Sequence, residues 1–214
     1  MPSLQDGHFF VEEEMMRGIM DVNETNKEEQ IMKHCGTKQL ETDRLSLRPF
    51  ASTDAVAMYC NWASEPEVTK FLTWKTYENV ETAEIVIKDW MQSYEKEDFY
   101  QWAIVLKELG DEPIGSISVV HIDERTSAME IGYCIGTKWW NKGIMTEAVK
   151  AVIDLLFNEV GVNRISARHD ANNPSSGKVM EKCNMTYEGT LRSAGWNNQG
   201  ICDMSCYAIL RNEH

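Results

Sequence analysis

Residues 130–148, Glu-Ile-Gly-Tyr-Cys-Ile-Gly-Thr-Lys-Trp-Trp-Asn-Lys-Gly-Ile-Met-Thr-Glu-Ala, hold the first group of atoms able to do chemistry. They read as a strand, a tight turn holding Gly143, and a helix with Met145, Ala148, Val149, Val152 and Leu156 at helical spacing. Such a turn presents main-chain N–H groups without intrahelical partners, backed by the positive end of the helix dipole. That arrangement suits a phosphate. The stretch lacks both Gly-x-Gly-x-x-Gly and Gly-x-x-x-x-Gly-Lys-Ser/Thr, and taken alone it more often marks an ordinary strand-to-helix connection.

A second segment runs from His169 to Asn184. Asn173 precedes Pro174 and is a strong helix cap, and its amide has donors as well as an acceptor, so it can cap and still meet a ligand. Asn184 can end the helix because asparagine tolerates the left-handed conformation. Thiol and metal chemistry find little support. The six cysteines form no Cys-x-x-Cys pair, the five histidines are scattered, and Cys183 has no histidine beside it in sequence.

The elements that must position these segments follow from periodicity. Arg44–Pro49 alternates and makes a first strand; Thr53 or Asp54 can cap a helix to about Trp62, and Asn79 a second one with Ala83, Ile87, Trp90, Met91 and Tyr94 on one face. Strands at Tyr100–Leu106, Ile114–Ile122 and Met129–Ile135, joined by short turns, predict an antiparallel meander. After the central helix, Arg164–His169 must run parallel to the strand before it, since a crossover of that length returns the chain to the same end. A helix over Pro174–Cys183 and a hairpin of Tyr187–Leu191 with Ile201–Leu210 complete an α/β (α+β) domain. Its mixed, mostly antiparallel sheet has about seven strands, with helices on both faces. Residues 1–38 stand apart as an acidic extension, one short helix or partly disordered, and 39–214 form the domain.

The two segments together resemble the GNAT acyl-CoA N-acetyltransferases, and within them the RimJ/RimL-type branch that acetylates the N-terminal amine of ribosomal proteins. The likeness rests on Glu130–Tyr133, Trp140–Ala148, Asn173 with Ser176, Glu181–Met185, Glu41–Arg48, and Asp203 with Tyr207, covering roughly residues 40 to 210. It implies the GNAT fold and acetyl-CoA as cosubstrate, with no metal. The pantetheine arm would pair with main chain along Ile135, Gly136 and Thr137. The pyrophosphate would lie against the N–H groups of Lys142, Gly143, Ile144, Met145 and Thr146, with Asn173 and Ser176 beside the arm. Met145 departs from the family's small residue, and would either crowd the phosphate or turn into the core.

Acetyl transfer to an amine needs a neutral nucleophile, a polarised carbonyl and removal of a proton. Glu130 is the candidate base, directly or through a water, although strand alternation equally allows a merely exposed glutamate. Tyr187 is the candidate proton donor to the departing thiolate, with Tyr133 the alternative. Ser116 and Ser118, on one face of the neighbouring strand, are candidates to orient water or substrate. Phe71, Trp74 and Tyr77 lie in a loop that flanks the acceptor groove in this family, and would contact substrate or form a hydrophobic lid. The favoured acceptor is a protein N-terminal α-amine of ribosomal-protein type. A small amine (antibiotic, polyamine or amino-acid derivative) and a non-catalytic acyl-CoA-binding protein are the alternatives.

Composition bounds these readings. The 214 residues suit one domain with an ample core. A net charge of −13 argues against direct binding of nucleic acid and favours basic or amine-bearing partners. No apolar run reaches the roughly 18 residues of a bilayer helix and no signal peptide opens the chain, so a cytoplasmic protein with reduced thiols, monomer or homodimer, is expected.

Overall fold

The computed structural model describes residues 32–214. The acidic extension lies outside the described residues as far as position 31. From Met32 onward the chain is packed: Met32 itself is buried, the Lys33 N–H donates to the Val160 carbonyl (2.8 Å), and Trp102 Nε1 donates to the Lys38 carbonyl (2.7 Å).

Among the described residues eight strands form one sheet: β1 (Leu40–Glu41), β2 (Leu45–Arg48), β3 (Gln101–Leu106), β4 (Pro113–Asp123), β5 (Ala128–Ile135), β6 (Arg164–Asp170), β7 (Thr186–Asn197) and β8 (Gly200–Leu210). Their order is β1-β2-β3-β4-β5-β6-β8-β7. Every neighbouring pair is antiparallel except β5 and β6, as the crossover length requires. The strand beyond the expected seven is β1, two residues paired with β2. β7 runs further than its pattern suggests, because register shifts at Tyr187/Gly189 and Leu191/Gly195 break the period-two signal.

The α-helical segments of the described residues that cover the sheet are α1 (Ala55–Met58), α2 (Pro66–Thr69), α3 (Val80–Ser93), α4 (Ile144–Leu155) and α5 (Pro174–Lys182). α1 continues as a π-helical turn over Tyr59–Ala63, and α4 likewise over Leu156–Val160. Asn79 caps α3 as expected, its Oδ1 accepting the Thr82 N–H (3.1 Å), and Asn184 ends α5 at φ +60°. The short α2 interrupts what reads in sequence as loop.

α1 and α3 bury Met58, Trp62, Ala83 and Ile87 against Ala103 on one face of the sheet, while α4 and α5 bury Val149, Val152, Leu156 and Met180 on the other. No helix among the described residues is long and apolar enough to cross a membrane.

One irregularity of register dominates. β5 and β6 pair only at Ala128/Arg164, Met129/Ile165 and Glu130/Ser166. Beyond that point β5 stays with β4 as far as Ile135, and β6 stays with β8 as far as Asp170. A wedge therefore opens between the two parallel strands toward their C-terminal ends.

Asp54 does not act as the simple cap that its sequence position suggests. Its carboxylate takes two hydrogen bonds from Arg48 (2.7 and 2.9 Å) and one from the Ala51 N–H (2.8 Å), with only 5% of the Asp54 side chain and 14% of the Arg48 side chain exposed. This pair ties β2 to the start of α1. Removing one partner of a buried pair strands the other charge. Asp54→Ala is expected to destabilise the fold by about 3 kcal/mol, read as a lowered urea midpoint at unchanged slope.

Candidate active site

The wedge is lined by main chain. The Gly136 N–H donates to the Ile114 carbonyl of β4 (3.1 Å), so by antiparallel alternation Ile131 and Tyr133 turn their main-chain groups the other way; the Ile131 N–H closes the last pairing with Ser166, and the Ile131 C=O and both groups of Tyr133 face the wedge. At its mouth the protein occupies some of the groups expected to serve a ligand. The Ile135 carbonyl accepts from Trp140 Nε1 (2.9 Å), and the Thr137 N–H donates to Glu65 Oε2 (3.1 Å). Between them Gly136 is pressed against α1's extension, where a Cβ would lie 1.9 Å from the Asn61 carbonyl oxygen. Only glycine fits there.

Past this point the chain turns into α4. Gly143, at φ +74°, is its N-cap, and no side chain caps the helix there. Met145, the bulky departure, is buried in the core, so its side chain leaves the turn's outer surface clear, and Lys142 beside it is exposed. Ile144 is likewise buried, and Thr146 is half-buried. A free helix N-terminus with an exposed lysine fits a diphosphate by its donor chemistry.

This turn is held from outside by Glu147. Its carboxylate accepts from Thr42 Oγ1 (2.6 Å), the Arg44 N–H (3.0 Å) and Arg44 Nε (2.7 Å), while Arg44 Nη1 donates to the Lys142 carbonyl (3.1 Å). Burial pushes the Glu147 carboxyl up, but these hydrogen bonds outweigh it and hold the group below its ordinary value.

At the wedge vertex, Glu130 shares its face with Gly132 and Cys134, the latter packed on the α1–α3 cluster. Ser116 and Ser118 lie on that face too, opposite Cys134 and Gly132, and Ser116 Oγ meets Cys134 Sγ at 3.5 Å. The structure thus brings Glu130 and both serines to one surface. It also supplies a partner the sequence did not suggest: Arg168 Nε donates to Glu130 Oε1 (2.9 Å). Beside this pair, Arg164 grips Glu188 through both Nη atoms (2.6 and 2.5 Å), which holds the Glu188 carboxyl below its usual range. With Leu191 and Cys206 these four charged side chains line a groove of about 330 Å³.

Tyr187 is not brought to Glu130. It pairs with Tyr207, whose position alternates with those of Ser166 and Arg168, so it lies on the opposite face, with its hydroxyl on Thr190 Oγ1 (2.8 Å). Tyr133 is the hydroxyl at the wedge. It donates to the Ser176 carbonyl (3.0 Å) and accepts from Ser176 Oγ (3.2 Å), and burial pushes its pKa up. Asn173 stands at the N-cap of α5 but makes no capping hydrogen bond with its side chain, contrary to the cap expectation.

The aromatic loop forms a lid. The Trp74 and Tyr77 rings meet 5.2 Å apart at a tilt of 53° and pack on the α1–α3 cluster; burial, with Cys134 adding, pushes Tyr77 up to about 12. Phe71 lies 5.3 Å beneath the Lys70 ammonium. The β7–β8 turn reaches this loop through Asn198, whose N–H donates to the Leu72 carbonyl (3.2 Å) and whose Nδ2 donates to the carbonyls of Thr69 (2.9 Å) and Trp74 (2.8 Å). Buried Asp170 anchors the same turn, accepting from Asn197 Nδ2 (2.6 Å) and from the Asn172 N–H (2.7 Å). Neither anchor was apparent from sequence, because asparagines in a turn carry no signal of what they reach.

Comparison with known proteins places this geometry. The family model for the acetyltransferase (GNAT) domain matches residues 44–186. The chain is 31% identical over 175 residues to the uncharacterized N-acetyltransferase p20 of Bacillus licheniformis, covering 82% of this chain and 97% of that one. It is 30% identical over 98 residues to the ribosomal-protein-serine acetyltransferase of Escherichia coli, 46% of this chain and 55% of that protein. Among solved structures, a GNAT-family acetyltransferase from Bacillus anthracis superposes with a TM-score of 0.72 at 25% identity, over 82% of this chain and all of that one.

A carboxyl held below its free value of 4.5 adds stability that stands in full above that value and is lost as pH falls beneath it. Glu147→Gln is therefore expected to lower stability at pH 7 and to flatten its decline between about pH 5 and 3, measured by urea unfolding across that range.

Proposed function

Since this chain belongs to the GNAT acetyltransferase family, whose members use acetyl-CoA, we propose that it transfers acetyl from acetyl-CoA to the N-terminal α-amine of a peptide or protein. The single observation that carries the reading is the wedge. Main-chain groups of Ile131 and Tyr133 face into it, its mouth lies next to the uncapped N-terminus of α4, and its vertex ends on Glu130.

In this reading the N–H groups from Gly143 to Thr146, with Lys142, hold the diphosphate, and the wedge's main chain pairs with the pantetheine arm between β5 and β6. The Asn173 amide, unused by its own helix, and Ser176 border the arm. A main-chain N–H turned into the wedge polarises the thioester carbonyl. Glu130, directly or through one water, takes the proton as the N–C bond forms; the C–S bond breaks and the thiolate departs without a covalent enzyme intermediate. Tyr133 is the hydroxyl nearest that sulfur, and it donates there by turning its one proton away from the Ser176 carbonyl.

An α-amine suits so modest a base. With a pKa near 7.7–8.0, about a tenth of such amines are neutral at pH 7, against fewer than about one lysine in a thousand. The Escherichia coli relative, by its name, acts on a ribosomal protein. The net charge of −13 favours a basic partner of that kind.

The test offers acetyl-CoA with N-terminal peptides, polyamines and aminoglycosides, following thiol release and acceptor mass. Peptide α-amines are expected to react. Glu130→Gln is expected to lose roughly 10²–10⁴-fold in kcat while coenzyme A binds the variant within about twofold of wild type. Wild type that binds coenzyme A but acetylates none of these amines would replace the enzyme reading with a sensor.

A further inference from the structure

The two arginines of the groove are committed to different degrees. Arg164 places both Nη atoms on the two oxygens of Glu188, a closed fork that leaves little for a ligand. Arg168 gives Glu130 only its Nε. Its two Nη groups make no hydrogen bond to any described residue, and its side chain is 50% exposed while Glu130 is 20% exposed. One carboxylate thus orients a guanidinium by its edge and leaves the bidentate face turned outward, beside the atom proposed to receive the amine's proton.

We propose that Arg168 is a specificity-determining residue that binds a carboxylate in the first or second residue of the acceptor peptide, while Glu130 receives that peptide's α-amine. The inference rests on the peptide-amine reading and names the kind of N-terminus it takes. Three features carry it. A guanidinium with both Nη groups available matches a planar carboxylate in two parallel hydrogen bonds. Arg168 stands on β6 two positions beyond Ser166, the residue paired with Glu130, so an anion docked there lies within roughly 7 Å of the vertex. That span fits an aspartate or glutamate at residue one or two. Finally, the groove's local charge is balanced by its two ion pairs, so an acidic side chain meets no excess negative potential there despite the chain's overall acidity.

The test uses peptide pairs differing only by Asp against Asn at position one or two, with free amino acids as a separate arm. For the wild-type protein, kcat/KM is expected to favour the Asp peptide by about tenfold or more, the range for a charge-assisted hydrogen bond. In Arg168→Gln the Asp/Asn ratio is expected to fall to about one, whatever absolute loss follows from unseating Glu130; Arg168→Lys, keeping charge without the fork, is expected to restore part of it. The same ratio is read without turnover from binding of the N-acetylated products to the enzyme–coenzyme A complex. An Asp/Asn ratio near one in wild type, or one that Arg168→Gln leaves unchanged, overturns the proposal. Product binding that keeps the preference while no peptide is acetylated supports the carboxylate site and counts against the peptide-amine reading alone. Acetylation of free acidic amino acids in preference to any peptide overturns the peptide assignment.

Discussion

The parting of β5 from β6 after Glu130 and Ser166 is the constraint to which the rest of the molecule answers. A sheet interior normally leaves no main-chain polar group without a strand partner. Here two strands end their pairing in mid-sheet, and the surroundings keep them apart. Tyr133 braces β5 against α5 through Ser176, and the β4 and β8 ladders hold the outer edges of both strands in register. At the vertex the Glu130–Arg168 pair bridges the strands on the open face. The wedge is thus a framed opening, with its chemistry concentrated at the narrow end.

The charged side chains show a division of labour. Arg44 fixes the turn before α4 through Glu147, Arg48 fixes α1 through Asp54, and Arg164 fixes β7 to β6 through Glu188. Arg44–Glu147 joins elements distant in sequence, Arg164–Glu188 reaches across β8, and Arg48–Asp54 ties β2 to the helix that follows it, each through more than one hydrogen bond. The lysine pairs Lys38–Glu159 and Lys107–Glu41 are half-exposed and contribute little. Arg168 differs from the structural arginines in keeping both Nη groups unspent.

Much of this was legible in the chain itself. Alternation and turn residues gave the strands of the meander, and the length of the crossover gave the one parallel pair. The αL tolerance of Asn184 placed the end of α5. The features that escaped depend on register and on contacts between distant residues. Tyr187 lies close to the last helix in sequence, yet which face it takes is fixed only by its pairing with Tyr207 across a bulged ladder. Glu130 was visible as a carboxylate on a strand, but its partner lies 38 residues away on another. Arg44 and Glu147 each sit in a motif that carries the family likeness, and nothing in either motif says that they meet. Asn173 looked like a cap because the proline after it makes one favourable, whereas the backbone there, at ψ +66°, leaves its amide uncommitted.

The main-chain lining of the wedge has an evolutionary corollary. Groups that every amino acid but proline carries are hard to lose by substitution, so the carrier side of such a protein is insulated from sequence drift except against proline and at the few positions, such as Gly136, where any side chain would collide. The groove beside it is lined by side chains such as Arg168, Glu188 and Leu191, and each of those can be exchanged singly. Divergence should therefore accumulate as new acceptor preferences rather than as new carriers, and a chain sharing under a third of its residues with a relative can retain one half of the chemistry while renegotiating the other.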